Sequence, residues 1–149
     1  MCSIATTITD LISQLYSEFA IKDLGSLNFF LGIKVIQHSR ITYLSQQWYI
    51  LDPLTRTKKG YAKPIASPMA TSTSLSTFER TIFYDTTLYR ITIRALQYLC
   101  ITRPDIAFIV NKLSQFMHKP LVPHWQVVKR LMCYLKQTMS FGLQFQHSS

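Results

Sequence analysis

Between Thr9 and Phe19 the apolar residues Leu11, Ile12, Leu15, Tyr16 and Phe19 recur at helical spacing, with Asp10 near the start. The turn Asp23-Leu24-Gly25-Ser26 ends that predicted helix. The pattern then changes. LNFFLGIKVIQ and ITYLSQ are aromatic and β-branched runs joined by His38-Ser39-Arg40, which reads as a β-hairpin. Gly32, inside the first run, implies either a bulge or the close approach of another backbone. A short helix is expected from Gln46 to about Thr57, although Pro53 sits badly within it, at a cost of about 3 kcal/mol in a helix interior.

From Lys58 to about Asp85 the chain is rich in Ser, Thr, Pro and Lys and reads as an ordered or semi-ordered connection. Three helices follow. The first spans about Asp85 to Cys100. The second begins at Arg103-Pro104-Asp105, where proline suits a first helical position and aspartate the positive dipole end. Its stripe is Ile106, Ile109, Val110, Leu113 and Phe116 or Met117. Pro120 and Pro123 separate it from a third helix, Trp125 to about Thr138, with Val128, Leu131, Met132 and Leu135 on one face. The tail FGLQFQ alternates like a strand. The elements predict an α+β fold: an N-terminal helix, an antiparallel hairpin, three helices and a short terminal strand.

Composition sharpens this picture. Apolar residues make up 48% and charged residues only 15%, so core material is ample and some apolar surface is expected to meet a partner. The net charge is +9 and the pI about 9.7, with one local cluster at Arg56, Lys58, Lys59 and Lys63. Such charge favours a polyanionic partner, either nucleic acid or an anionic surface. Cys2, Cys100 and Cys133 are far apart and show no metal-ligand spacing, which fits reduced thiols in an intracellular protein, cytoplasmic or nuclear. The N-terminus lacks a basic signal-peptide region, and no apolar run is long enough for a membrane span, so no membrane partner is expected.

Catalytic chemistry is hard to find. None of the seven acidic residues lies within four positions of another, so converging carboxylates for metal-assisted phosphoryl transfer would need long-range folding. No nucleophile elbow, zincin or phosphate-loop motif occurs. His118 and His124 flank a proline-containing turn and read better as surface or capping residues than as a ligand pair. The stretch YRITIRALQYL is more informative. Arg90, Arg94 and Tyr98 fall at i, i+4 and i+8, one ridge on an otherwise apolar helix. The ridge is either a solvated edge or a surface for phosphates.

The collinear segments IKDLGSLNFFLGIKV, ITYLSQQWYILDPLTRT, AKPIASPM, LQYL-x(3)-RPDIA, VNKLSQFMH and HWQVVKRLMCYLKQT resemble the reverse transcriptase of copia-type LTR retrotransposons, as carried in their Pol polyproteins. The resemblance runs from about Ile8 to Phe145. It implies a palm remnant over residues 1–57, a connection over 58–84 and a thumb-like region over 85–149 leading towards an RNase H domain. It also implies that the polymerase Asp-Asp hairpin lies upstream and the RNase H acids downstream. The chain would then be a fragment that is not itself an enzyme and holds no cofactor, whereas the parent polymerase uses magnesium. Its implied partners are an RNA–DNA or DNA duplex and the remainder of the polyprotein. Phe30, Leu31, Gly32 and Ile33 would match the primer grip, and the ridge of Arg90, Arg94 and Tyr98 would follow the duplex minor groove. Against the family pattern, Arg94 and Gln137 stand where glycine is usual and Pro53 where leucine is usual. The alternative is a free-standing basic nucleic-acid-binding or protein-interaction module derived from a transposon.

Overall fold

The computed structural model describes residues 2–22, 25–57, 63, 65–69 and 81–146. In chain order these form α1 (Cys2–Glu18), β1 (Phe29–Phe30), β2 (Ile33–His38), β3 (Ile41–Ser45), α2 (Gln47–Arg56), α3 (Thr86–Leu99), α4 (Ala107–Ser114), α5 (Val122–Gln137) and β4 (Leu143–Gln146). The fold is α+β, as the elements predict. Most of the 58–80 connection, Lys58 and Lys59 of the basic cluster, and the side chain of Cys2 lie outside the described residues.

The sheet is antiparallel, in the order β1-β2-β3-β4. Register pairs Val35 with Leu44 and Ile36 with Tyr43 between β2 and β3, and Thr42 with Phe145 between β3 and β4. The terminal strand therefore returns to the hairpin about a hundred residues earlier in the chain. Gly142 makes this return feasible. A Cβ there would come 2.2 Å from the Leu44 carbonyl and 2.8 Å from the Tyr43 ring, so only glycine lets the two backbones approach this closely. Beside it, Tyr43 donates a 2.6 Å hydrogen bond from its hydroxyl to the Ser140 carbonyl.

Two readings of the sequence change at this level. Gly32 is not inside a strand: LNFFLGIKVIQ forms two strands, β1 and β2, joined by the turn Leu31-Gly32. Pro123 does not separate helices. It lies in the first turn of α5, where its missing N–H costs nothing because first-turn N–H groups have no partner within the helix. Pro53 does lie inside α2, and burial explains the tolerance: its ring is on the same buried face as Ile50 and Leu54. Apolar packing there offsets the lost backbone bond.

α3, α4 and α5 build the main core. Asp85 starts α3 by accepting from the Leu88 N–H at 2.8 Å. Ile93, Leu96 and Leu99 of α3, Val110 and Leu113 of α4, and Val128, Leu131 and Leu135 of α5 are fully buried, with Ile50 and Leu54 of α2 closing one side. Phe83 reaches this core and stacks on Trp125 at 4.6 Å between centroids. It is held there by antiparallel contacts at Ile82 and Leu121.

A buried polar network ties the helices to the sheet. The guanidinium of Arg103, 2% exposed, makes a forked pair with both oxygens of Asp105 at 2.9 and 2.7 Å. It also donates to the Thr138 carbonyl and hydroxyl at 2.8 and 2.7 Å, and lies over the rings of Tyr134 and Phe141. Tyr134 donates its hydroxyl to Asp105 at 2.8 Å. The arginine thus serves the carbonyl end of α5, so Gln137 needs no left-handed glycine cap; its φ is not positive. Thr102 donates to Gln46 Oε1 at 2.7 Å, joining the same corner to the β3–α2 junction.

Two groups make stability fall in acid. His124 is fully buried. Its Nδ1 accepts from the Leu121 N–H at 3.1 Å, and its ring stacks on Phe116, so it is the capping histidine and not half of a ligand pair. Burial holds its pKa below the ordinary 6.5. Burial acts to raise the Asp105 pKa, but hydrogen bonds from Arg103 and Tyr134 outweigh it and the net shift is downwards from 3.8. In both cases the unfolded chain takes up protons first. Stability contributed by His124 is present above pH 6.5 and lost as pH falls below it. The Asp105 contribution is present above 3.8 and lost below that. Thermal melts should show a first decline between pH 7 and 5 that is absent in His124→Gln, and a second decline below about pH 4. A flat profile in the unsubstituted protein from pH 7 to 5 would contradict the assignment to His124.

Candidate nucleic-acid interface

The residues expected to meet nucleic acid come from two places, the β1–β2 turn and the outer ridge of α3. In the turn, Phe30 pairs with Ile33 across two residues, Leu31 and Gly32. Both have positive φ, 48° and 78°, as a two-residue type I′ hairpin turn requires. Leucine is unusual there, and glycine is favoured by its conformation. A Cβ on Gly32 would meet only ordinary contacts, 3.7 Å from Tyr49 and 4.0 Å from Tyr98. Phe29, Phe30 and Leu31 are exposed, while Gly32 and Ile33 are half-buried.

α3 presents its core face through Tyr89, Thr92, Ile93, Leu96 and Leu99. Arg90 and Arg94 are exposed on another side, and Tyr98 is half-buried on the same ridge. At 1.5 Å per residue the ridge is about 12 Å long. Its two ends meet different partners. The Tyr98 hydroxyl donates to the Leu31 carbonyl, and its ring meets that of Tyr49 edge-on at 4.9 Å. Leu31, Gly32, Tyr49 and Tyr98 enclose an open, largely apolar cleft of about 420 Å³. Burial, followed by the neighbouring Tyr98 and Asp52, pushes the Tyr49 phenol pKa upwards, so it stays neutral at physiological pH.

At the other end, Arg90 donates from Nε to the Met117 carbonyl at 2.9 Å. Arg90, Arg94, Met117 and His118 line a second cleft of about 320 Å³. The fold therefore joins both predicted residue sets into one surface, running from the turn through Tyr98 and Arg94 to Arg90. Tyr49 and His118 belong to it and were not legible as members. Tyr49 had one local signal, its place in the aromatic pair Trp48-Tyr49, of which Trp48 is 71% exposed.

Among the described residues no group of three or more His, Cys, Asp or Glu is placed to hold a metal ion. Within the same residues no helix is long and apolar enough to cross a membrane. The side chains on this surface are of types able to make aromatic and phosphate contacts. In general, arginine can supply charge and tyrosine stacking or sugar contacts, neither of which reads base sequence.

No family model matches the chain, and no solved structure does. Its relatives are informative. It is 44% identical to the retrovirus-related Pol polyprotein from transposon RE1 of Arabidopsis thaliana over 138 residues, 93% of this chain and 9% of that protein. It is 35% identical to the Pol polyprotein from transposon TNT 1-94 of Nicotiana tabacum, over 93% of this chain and 11% of that one. An uncharacterized mitochondrial protein of Arabidopsis thaliana is 36% identical over 97% of this chain and 60% of its own length. The chain spans about a tenth of the polyproteins it matches. Over nearly its whole length, it is homologous to one segment of the retrovirus-related Pol polyproteins of copia-type transposons.

Proposed function

We propose that this chain is a transposon-derived reverse-transcriptase segment that holds a template–primer duplex and leaves the chemistry to other residues of the polymerase. α3 lies along the duplex, with Arg90 and Arg94 on backbone phosphates and Tyr98 on a sugar or base. The Leu31-Gly32 turn sits at the primer side. Magnesium, in this reading, is held by acids outside the chain.

The observation that carries the reading is the bond from Tyr98 to the Leu31 carbonyl. It fixes the grip-like turn directly against the duplex-facing ridge, so a nucleic acid touching one touches the other. The test is binding of a fluorescent RNA–DNA hybrid at several salt concentrations. Affinity should fall steeply with salt, and Arg90→Ala and Arg94→Ala should each weaken binding about tenfold and reduce the salt slope by about 1. Binding indifferent to salt and to both substitutions would remove the proposed role from α3.

A protein-contact role is favoured by a separate observation. Ile4, Ile8, Leu11, Ile12, Leu15, Tyr16 and Phe19 of the α1 region are all 40% or more exposed. An apolar face of that extent is suited to burial against another part of a polyprotein.

A further inference from the structure

We propose that the cleft between α3 and the α4–α5 loop, lined by Arg90, Arg94, Met117 and His118, is a phosphate-binding site. Among the described residues no carboxylate lines it. Arg90 is oriented by its Nε bond to the Met117 carbonyl, which leaves both of its terminal amines for a ligand. The side chain of Arg94, one turn further along, makes no hydrogen bond or ion pair with any described residue. The two cations stand at i, i+4, a like-charge spacing that repels along a helix and is relieved by an anion between them. His118 adds an imidazole from the opposite wall.

The pieces match phosphate chemistry. A planar guanidinium forms paired charge-assisted bonds to a phosphate's oxygens, and a histidine adds a third donor from another direction. The cleft opens at the end of the ridge away from the Leu31-Gly32 turn, the place for a backbone phosphate about 12 Å further along one strand. This site deepens the proposed duplex contact and rests on it for the source of the phosphate, though not for the site itself. It also adds His118 to the surface and gives Arg94 a role that a residue standing in place of glycine would otherwise lack.

The experiment uses the full chain labelled with nitrogen-15. Inorganic phosphate is titrated while the His118 ring and the Arg90 and Arg94 Nε signals are followed by NMR. An RNA–DNA hybrid is then added as competitor. Saturable shifts at these three residues, weakened about tenfold by Arg94→Ala or His118→Ala with unchanged melting temperature, are expected. Displacement of phosphate by the hybrid identifies the duplex backbone as its source. Phosphate binding with no displacement supports the site for a free phosphate or nucleotide and contradicts the duplex reading. Salt-dependent hybrid binding that weakens with Arg94→Ala, in a chain whose His118 signal shows no saturable response to phosphate, overturns the site while the duplex reading stands. Absence of shifts at His118 and Arg94 also overturns it.

Discussion

Asp105→Ala should cost about 3–5 kcal/mol of folding stability and should cost more than Arg103→Met, although both break the same ion pair. The asymmetry follows from which charge is left behind. The Asp105 side chain is 37% exposed and Arg103 only 2%. Removing the carboxylate strands a buried guanidinium, with Thr138 and two aromatic rings as its remaining partners. Removing the arginine leaves a carboxylate that can turn to water and that keeps its bond from Tyr134. The loss is then nearer 1–3 kcal/mol, chiefly from the buried Thr138 carbonyl at the end of α5 left without its donor. The combination of Arg103→Met with Asp105→Ala should therefore be more stable than Asp105→Ala alone. Urea unfolding of the three variants checks this order. A double variant less stable than Asp105→Ala would show that Arg103 contributes chiefly through packing.

Trp125→Ala should cost about 3–5 kcal/mol, the range for removing a large aromatic from a core. Trp125 is 6% exposed, stacks on Phe83 and lies tilted against Tyr89, 6.3 Å between ring centroids. It joins three pieces: the end of the long connection, the start of α3 and the first turn of α5. Tyr89, whose phenol pKa burial raises far above the ordinary value, donates to the Leu113 carbonyl and carries the same contact into α4. Loss of the indole should loosen α3 where Arg90 meets the α4–α5 loop. Hydrogen exchange should accelerate at residues 86–90 and 116–124 before it does so in the sheet. Uniform acceleration across the chain would instead place Trp125 in a single cooperative core with no local role.

Much of this architecture is local and was legible. Helical spacing located α3, α4 and α5 to within a few residues, and the ridge of Arg90, Arg94 and Tyr98 is exposed or half-exposed as spacing implied. What escaped is nonlocal or breaks a residue preference. A two-residue hairpin usually declares itself by Asn-Gly or Asp-Gly; Leu31-Gly32 does not, and β1 is too short to show alternation. Asp105 looked like a helix-start acid, because nothing adjacent reveals that Thr138 and Tyr134 come to meet Arg103 from α5. The stripe on α1 was read correctly as helical, but periodicity cannot say whether an apolar face is covered. His118 and Tyr49 join the surface only because α3 brings the α4–α5 loop and α2 to its two ends.

The proposed function makes the β1–β2 turn and the α3 ridge one nucleic-acid-binding surface. Photocrosslinking to an RNA–DNA hybrid carrying iodouridine, followed by mass spectrometry of the adducts, tests it most directly. Adducts should concentrate at Tyr98 and Tyr49, with Phe30 on the same footprint, and should decline with Arg90→Ala and Arg94→Ala. Adducts confined to residues 56–63 or to α1, with Tyr98 and Tyr49 unmodified, would contradict it.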